Sequence, residues 1–108
     1  MRLTASSPAI DRILVILPTY NEAENVLGLT RLVLEQDERI EVLVVDDGSP
    51  DGTGDRVEEL KSSERRVHLL RRPGKLGLGT AYLAGFRFGL DEGYAFVFTM
   101  DCDFSHNP

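Results

Sequence analysis

Residues 42–53 read VLVVDDGSPDGT, an apolar run that stops at two adjacent aspartates and a turn. The four apolar residues do not alternate with polar ones, which is typical of a strand covered on both faces, as in a parallel sheet. Comparable apolar runs occupy residues 13–17, 67–70 and 95–100. The stretch at 42–53 therefore predicts one strand of a mostly parallel sheet, with polar residues where the strand ends.

Three segments between these runs have apolar residues spaced three and four apart, which indicates amphipathic helices. They occupy residues 21–35, 53–61 and 79–90. In the third segment we expect Leu83, Phe86 and Leu90 to form the buried face. The order β-α-β-α-β-α-β predicts an α/β fold with right-handed crossovers and flanking helices.

Composition limits the class of protein. The 108 residues suit one small domain or part of a larger one, and the net charge of −6 argues against a nucleic-acid binder. No apolar run approaches the ~20 residues of a membrane span. The single cysteine excludes an internal disulfide and a cysteine zinc site, and it fits a reducing, cytoplasmic location. We expect residues 1–12 to be a loose lead-in and residues 13–108 to form the domain.

Ligands of parallel α/β sheets bind beyond the carboxyl ends of the strands, so the loops at those ends are the candidate site. The first such loop covers residues 18–22, and Thr19 or Asn21 is positioned to cap the following helix. This loop is either a simple strand-to-helix turn or a contact surface. In the second case Tyr20 offers a flat face to a base and Glu22 offers an acceptor.

The second loop contains Asp46 and Asp47 directly after the strand. Adjacent carboxylates repel each other and are costly to bury without partners. A ribose hydroxyl or a base N–H is a suitable partner, so we expect at least one of the pair to be functional. Ser49 before Pro50 resembles a helix N-cap followed by proline at the first helical position.

The third loop, residues 71–80, is basic, rich in glycine and followed by a helix. A helix N-terminus attracts phosphate, but the loop matches neither the dinucleotide-binding pattern nor the P-loop. Two interpretations stay open here, contact with an anion and a flexible solvated turn.

The fourth loop carries Asp101 and Asp103, two residues apart at the end of the last apolar run. Alternate residues of a strand point to the same side, and magnesium and manganese prefer oxygen ligands of this kind. The pair therefore predicts a site for Mg²⁺ or Mn²⁺. Cys102 between them is most simply a packing residue, and His106 a surface residue.

Taken together, the loops resemble the inverting family 2 glycosyltransferases with the Rossmann-like GT-A nucleotide-binding fold. The closest likeness is to the polyprenyl-phosphate mannosyltransferases, the dolichol-phosphate mannose synthase group. The matching strings are PTYNE at 18–22, VDDGSPDGT at 45–53, KLGLGTAY at 75–82 and MDCDFSH at 100–106. The resemblance covers nearly the whole chain from Ile13.

The resemblance implies a role for each loop. Pro18, Tyr20 and Glu22 would hold the guanine end of GDP-mannose. The nucleoside pocket would be completed by residues of the second strand and loop, namely Val45, Asp47 and, in support, Asp46.

The fourth loop would lie along the diphosphate of the donor. Asp101 and Asp103 would be the catalytic and metal-binding residues, and Cys102 would contribute through its backbone. Two departures from the family pattern are present. Cys102 replaces a common alanine, and Ser105 stands where some relatives have glutamine.

The implied reaction is transfer of mannose, with inversion, to a polyprenyl phosphate of the dolichyl type. Family members continue past the D-x-D motif into acceptor-binding and membrane-associated parts. We therefore expect this chain to be a donor-binding N-terminal part that does not transfer mannose by itself and that self-associates through an exposed half-core. In the longer enzyme it would act at the cytoplasmic face of a membrane.

Other classes of function stay open. A family 2 transferase that uses UDP-glucose or another donor shares most of these loops. A sugar-nucleotide nucleotidyltransferase would show a glycine-rich signature near the first strand, and residues 18–22 have none. The chain is alternatively a nucleotide-binding or assembly module without catalysis.

Overall fold

The computed structural model describes residues 12–74 and 76–101, in which strands and helices alternate. The strands are β1 (Ile13–Thr19), β2 (Ile40–Asp46), β3 (Val67–Arg71) and β4 (Phe96–Thr99), and the helices are α1 (Val26–Leu34), α2 (Thr53–Lys61) and α3 (Leu78–Glu92). The predicted order of elements is confirmed.

The four strands form one parallel sheet in the order β3-β2-β1-β4. Strand β1 pairs with β2 from Ile13↔Ile40 to Thr19↔Asp46, so the carboxyl ends of the two central strands are level. The predicted Rossmann-like α/β fold with a mostly parallel sheet is confirmed. Its consequence is that the loops after the four strands gather at one edge.

The sheet has a packed core on each face because successive side chains of β1 alternate between the two faces. Val15 and Leu17 join the apolar cluster that includes residues of α1 and α2. Leu14 and Ile16 join the second cluster, which includes Ala81 of α3. Both faces of the central strands are therefore covered, as the unbroken apolar runs predicted.

The predicted buried face of α3 is wrong. Leu83 is 65% exposed and Leu90 is 82% exposed, and Phe86 is also exposed. The helix instead turns Ala81, Gly85 and Gly89 towards the sheet. A Cβ atom on Gly85 would lie 2.6–2.9 Å from side-chain atoms of Ile16, so the backbone of α3 lies closer to β1 than larger residues would allow.

Apolar side chains are also exposed on β4, which lies at the edge of the described sheet. They are Phe96 and Phe98, followed by the exposed Met100. Exposed apolar patches often mark contact surfaces. The self-association expected from the sequence stays a prediction.

Within the described residues, no helix combines the length and the apolar character that a membrane crossing requires.

A polar cluster lies at the opposite, amino edge of the sheet and is built around Glu41. Its carboxylate accepts hydrogen bonds from Arg12 Nε at 3.0 Å and from the Tyr94 hydroxyl at 2.6 Å, and His68 Nε2 lies 2.8 Å away. Burial alone would raise the pKa of Glu41, but hydrogen bonds from these three residues outweigh it and lower that pKa to about 2. A cavity of about 570 Å³, lined mainly by charged side chains, borders this cluster.

Acid should remove the stabilisation that Glu41 gives to this cluster. The pKa of Glu41 is below its ordinary value of 4.5 in the folded protein. Its stabilisation is therefore complete above about pH 4.5 and is lost as the pH falls towards about 2. We expect urea unfolding to show a shallower loss of stability over this range for Glu41→Gln than for the wild type. Parallel curves for the two proteins would contradict the assignment.

Candidate functional site

The candidate site lies at the carboxyl edge of the sheet, where the loops after β1, β2 and β3 surround a small cleft. Its volume is about 120 Å³. The lining residues are Pro18, Thr19, Tyr20, Asp47, Gly77, Leu78 and Ala81. The structure therefore brings together three of the predicted site residues, Pro18, Tyr20 and Asp47, and adds the start of α3 as one wall.

Side chains of the second loop bind the backbone of the first loop. The first loop therefore forms a turn before α1 begins. Three consecutive backbone N–H groups, those of residues 21–23, donate to side chains of Ser49, Thr53 and Asp51, at 2.8, 2.9 and 3.0 Å in that order. Asn21 has a φ of 58°, a left-handed conformation that asparagine tolerates better than most residues. The segment that was predicted to begin the helix is thus a turn.

Two of the predicted helix caps are wrong for this reason. The N-cap of α1 is Asn25, whose side chain makes no capping bond, so neither Thr19 nor Asn21 caps this helix. The N-cap of α2 is Gly52, and Ser49 has another function. Asp51 does bind the start of α2, since it accepts from the backbone N–H of Thr53 at 3.0 Å.

Asp51 links this helix start to the first loop. Burial raises the pKa of its carboxyl group, but hydrogen bonds from Thr53 and Ala23 outweigh that effect and leave the pKa below its ordinary value. The carboxylate is therefore ionised at neutral pH and can accept from both loops.

Asp46 is buried, and its carboxylate accepts hydrogen bonds from Thr19 and Ser49. The Thr19 hydroxyl donates to Oδ1 at 2.7 Å, and Ser49 donates to the same oxygen through its hydroxyl at 2.6 Å and to Oδ2 through its backbone N–H at 3.1 Å. Buried carboxylates need such donors. Asp46 thus joins the first two loops and does not line the cleft.

Asp47 has a different partner, Arg72 of the third loop. Arg72 donates to both carboxylate oxygens, from Nε at 2.6 Å and from a terminal nitrogen at 3.0 Å. The Arg72 and Asp47 side chains are only 11% and 9% exposed. The same guanidinium group donates to the carbonyl of Gly77 at 3.2 Å, so it ties the second loop to the start of α3.

The two interpretations of the third loop, contact with an anion and a flexible solvated turn, stay predictions. Arg72 is paired with Asp47, and Arg71 is paired with Asp55 at 2.9 Å. Both arginines are therefore bound to carboxylates of this chain. Lys75 lies outside the described residues.

The remaining nucleoside residues lie outside the cleft. The Val45 side chain is wholly buried in the second apolar cluster, with Leu14 and Ile16. Glu22 borders a separate surface depression together with Asp51 and Arg56. Its carboxylate accepts from the Asn25 side chain at 3.3 Å.

Asp101 lies just beyond β4, and the Tyr82 hydroxyl donates to its Oδ1 at 3.0 Å. Burial, and then this hydrogen bond, raise the pKa of Tyr82 above its ordinary value. The phenol is therefore protonated at neutral pH and acts as the donor. Cys102 and Asp103 lie outside the described residues.

The donor chemistry of Asp101 suits a divalent cation, because an ionised carboxylate is an oxygen ligand of the kind that Mg²⁺ and Mn²⁺ prefer. Among residues 12–74 and 76–101, however, no three His, Cys, Asp or Glu side chains form a group that could hold a metal ion. The described part of the chain thus supplies one fitting ligand, and the predicted second ligand, Asp103, is outside it.

Some residues of the site were not recognised from the sequence. From the sequence, Arg72 is only part of a basic loop, Ser49 is only a candidate helix cap, and Asp51 and Thr53 have no predicted contact. Ser49, Asp51 and Thr53 occupy alternate positions of the second loop, and this spacing is the one signal of their role in the sequence. Tyr82 belongs only to the matching string KLGLGTAY at 75–82.

The fold and the position of the cleft define a Rossmann-like α/β domain with its candidate ligand site at the carboxyl edge of a parallel sheet. The family follows from comparison of the sequence with known families: the model of glycosyl transferase family 2 matches residues 14–108. The chain belongs to this family.

Two curated relatives are similar over most of the chain. A polyprenol monophosphomannose synthase of Mycolicibacterium smegmatis is 51% identical over 98 residues, which are 90% of this chain and 37% of the relative. An undecaprenyl-phosphate mannosyltransferase of Micrococcus luteus is 52% identical over 101 residues, which are 90% of this chain and 40% of the relative. The chain thus spans about two fifths of the length of these relatives.

A solved structure is also similar. The mannosyltransferase PcManGT from Pyrobaculum calidifontis, in complex with GDP-Man and Mn²⁺, matches with a TM-score of 0.65 and 31% sequence identity. The match covers 76% of this chain and 26% of that one.

Proposed function

We propose that this chain is the donor-binding part of an inverting glycosyltransferase that transfers mannose from GDP-mannose to a polyprenyl phosphate. The observation that carries the proposal is the cleft between Tyr20, Asp47 and the start of α3, at the edge where such sheets bind ligands. The names of two relatives at 51% and 52% identity support mannose and a polyprenyl acceptor. The similar solved structure is a complex with GDP-Man and Mn²⁺, which supports GDP-mannose as the donor and a divalent cation as the cofactor.

The nucleoside of the donor is assigned to the cleft. Tyr20 is 37% exposed there and offers its ring to the base, and Pro18 lies beside it. Asp47 offers carboxylate lone pairs to ribose or base donors, since each oxygen has more than one acceptor position. Glu22 would reach the guanine from its neighbouring depression, while Asp46 and Val45 hold the loop and the strand in place.

The diphosphate is assigned to the fourth loop, with Asp101 and Asp103 as ligands of Mg²⁺ or Mn²⁺ and Cys102 contributing its backbone. A bound divalent cation stabilises the negative charge that a nucleoside diphosphate gains as it leaves.

The acceptor needs little activation by the protein. A polyprenyl monophosphate is largely ionised at neutral pH, since its second pKa is about 6. It would attack the anomeric carbon from the face opposite the diphosphate, which gives inversion, without a protein base. The lipid acceptor places the reaction at a membrane surface, and we assign it to the cytoplasmic face.

Calorimetric titration with GDP-mannose, GDP and UDP-glucose, each with and without Mn²⁺, tests the donor assignment. We expect binding of GDP-mannose and GDP that Mn²⁺ strengthens, and at least tenfold weaker binding of UDP-glucose. A preference for UDP-glucose would favour another donor of family 2, and no nucleotide binding would favour a module without this function.

The metal assignment has a matched pair of variants. Asp101→Asn removes a predicted metal ligand, and we expect it to abolish most of the Mn²⁺-dependent gain in GDP affinity. Asp91→Asn makes the same change in an exposed acid near the end of α3 and should leave that gain unchanged. Equal behaviour of the two variants would contradict the role of Asp101.

A further inference from the structure

Tyr82 has no role in the proposed function, yet it makes the one hydrogen bond that the described residues give to the Asp101 side chain. Its hydroxyl donates to Oδ1 of Asp101 at 3.0 Å, and no described residue donates to Oδ2. We propose that Tyr82 is a positioning residue for Asp101: it fixes the carboxylate by one oxygen and leaves the other to bind the metal. This inference rests on the proposed function.

Both ends of the Tyr82–Asp101 bond are anchored on the same residue of β1. Ile16 pairs with Thr99 across the sheet, and its carbonyl accepts from the Met100 N–H at 3.0 Å, which fixes the backbone directly before Asp101. The side chain of Ile16 also packs under Gly85, three residues after Tyr82 on α3.

Gly85 allows α3 to lie close enough to the sheet for the Tyr82 hydroxyl to reach Asp101. A Cβ atom at position 85 would come within 2.6 Å of Ile16, so a larger residue would push α3 away from the sheet. Because Tyr82 lies on the adjacent turn of the same helix, such a displacement would carry its hydroxyl away from Asp101. The distance between the two groups is therefore set by close packing on both sides of Ile16.

A purely structural role for this bond is a weak explanation. Asp101 is exposed, so its carboxylate does not need a protein donor to replace water. The net stabilisation from an exposed hydrogen bond is small. By contrast, partners that orient a metal ligand typically change metal affinity or activity 10–100-fold when they are lost.

The test replaces Tyr82 with phenylalanine in the full chain, which keeps the ring and removes the hydroxyl. Two constants are measured: the Mn²⁺ affinity of the protein–GDP complex, from the EPR signal of free Mn²⁺, and the GDP affinity in the presence of EDTA. We expect Tyr82→Phe to weaken Mn²⁺ binding about tenfold, with GDP affinity in EDTA within about twofold of the wild type.

Tyr94→Phe is the matched control, since it removes the same kind of bond at the opposite edge of the sheet, where the Tyr94 hydroxyl donates to Glu41. It should lower stability and leave Mn²⁺ affinity unchanged.

The outcomes are separable. Unchanged Mn²⁺ affinity in Tyr82→Phe would overturn the inference, and so would equal losses of GDP affinity with and without metal, because the hydroxyl would then serve the nucleotide or the fold. A wild-type chain that binds no GDP under either condition would instead overturn the proposed function.

Discussion

Replacing Arg72 with alanine should destabilise the protein by about 3–5 kcal/mol, the range for removing one partner of a buried ion pair. The substitution leaves the Asp47 side chain, which is 9% exposed, without its ion-pair partner, and it also removes the bond to the Gly77 carbonyl. Urea unfolding at neutral pH measures the loss. Because Asp47 lines the cleft, we expect GDP affinity to fall in the variant under conditions where it stays folded.

The adjacent residue provides the control. Arg71 also forms an ion pair, but its side chain is 48% exposed and that of its partner Asp55 is 82% exposed. Exposed pairs contribute about 0–1 kcal/mol, so Arg71→Ala should change stability by no more than that. Similar losses in the two variants would show that burial of the Arg72–Asp47 pair is not the cause.

Arg72→Lys distinguishes charge from geometry at this position. Lysine keeps the positive charge but cannot donate to both oxygens of Asp47 in the planar arrangement that arginine makes. We expect its stability to lie between those of the wild type and Arg72→Ala.

Gly85→Ala should destabilise the protein by about 3 kcal/mol, at the upper end of the range for an overpacked core. The new methyl group would overlap the side chain of Ile16, which is fully buried. Alanine favours a helix over glycine by about 1 kcal/mol, and that gain is too small to offset the overlap. Chemical unfolding measures the net change.

Gly28→Ala is the matched control in helix α1. Apart from its chain neighbours and the backbone of its own helix, no atom of the described residues lies within 4 Å of the Cβ position at Gly28, so only the helix preference remains. We expect this variant to be up to about 1 kcal/mol more stable than the wild type. A Gly85→Ala protein as stable as the wild type would mean that α3 can move away from β1 at little cost. Its Tyr82–Asp101 bond would then also be expected to weaken.

The strands were predictable because their signal is local. Residues 42–45 are apolar without alternation, which already requires cover on both faces, and β2 is indeed buried between α-helical layers. The helix at Thr53–Lys61 was predicted with the bounds that the structure has. Helix α1 was predicted to begin too early, because the N–H groups of residues 21–23 bond to side chains 28–31 positions away along the chain.

The buried face of α3 was mispredicted for a physical reason. Periodicity counts large apolar residues, and it selected Leu83, Phe86 and Leu90. Close packing against Ile16 instead requires residues without side chains at the contact, and Gly85 and Gly89 supply them. A helix that packs by its smallest residues does not show its buried face in a hydrophobic pattern.

The sequence by itself determined the α/β architecture, the family resemblance and the edge at which the candidate site lies. These follow from local runs of apolar residues and from the rule that parallel strands end on one side. Only the tertiary structure decided how the acidic residues are used: Asp46 is bonded within the first two loops, Asp47 is bound by Arg72, and Asp101 is held by Tyr82. Such partners lie 19–27 residues apart in the chain, and only the packing of the helices on the sheet brings them within hydrogen-bond distance.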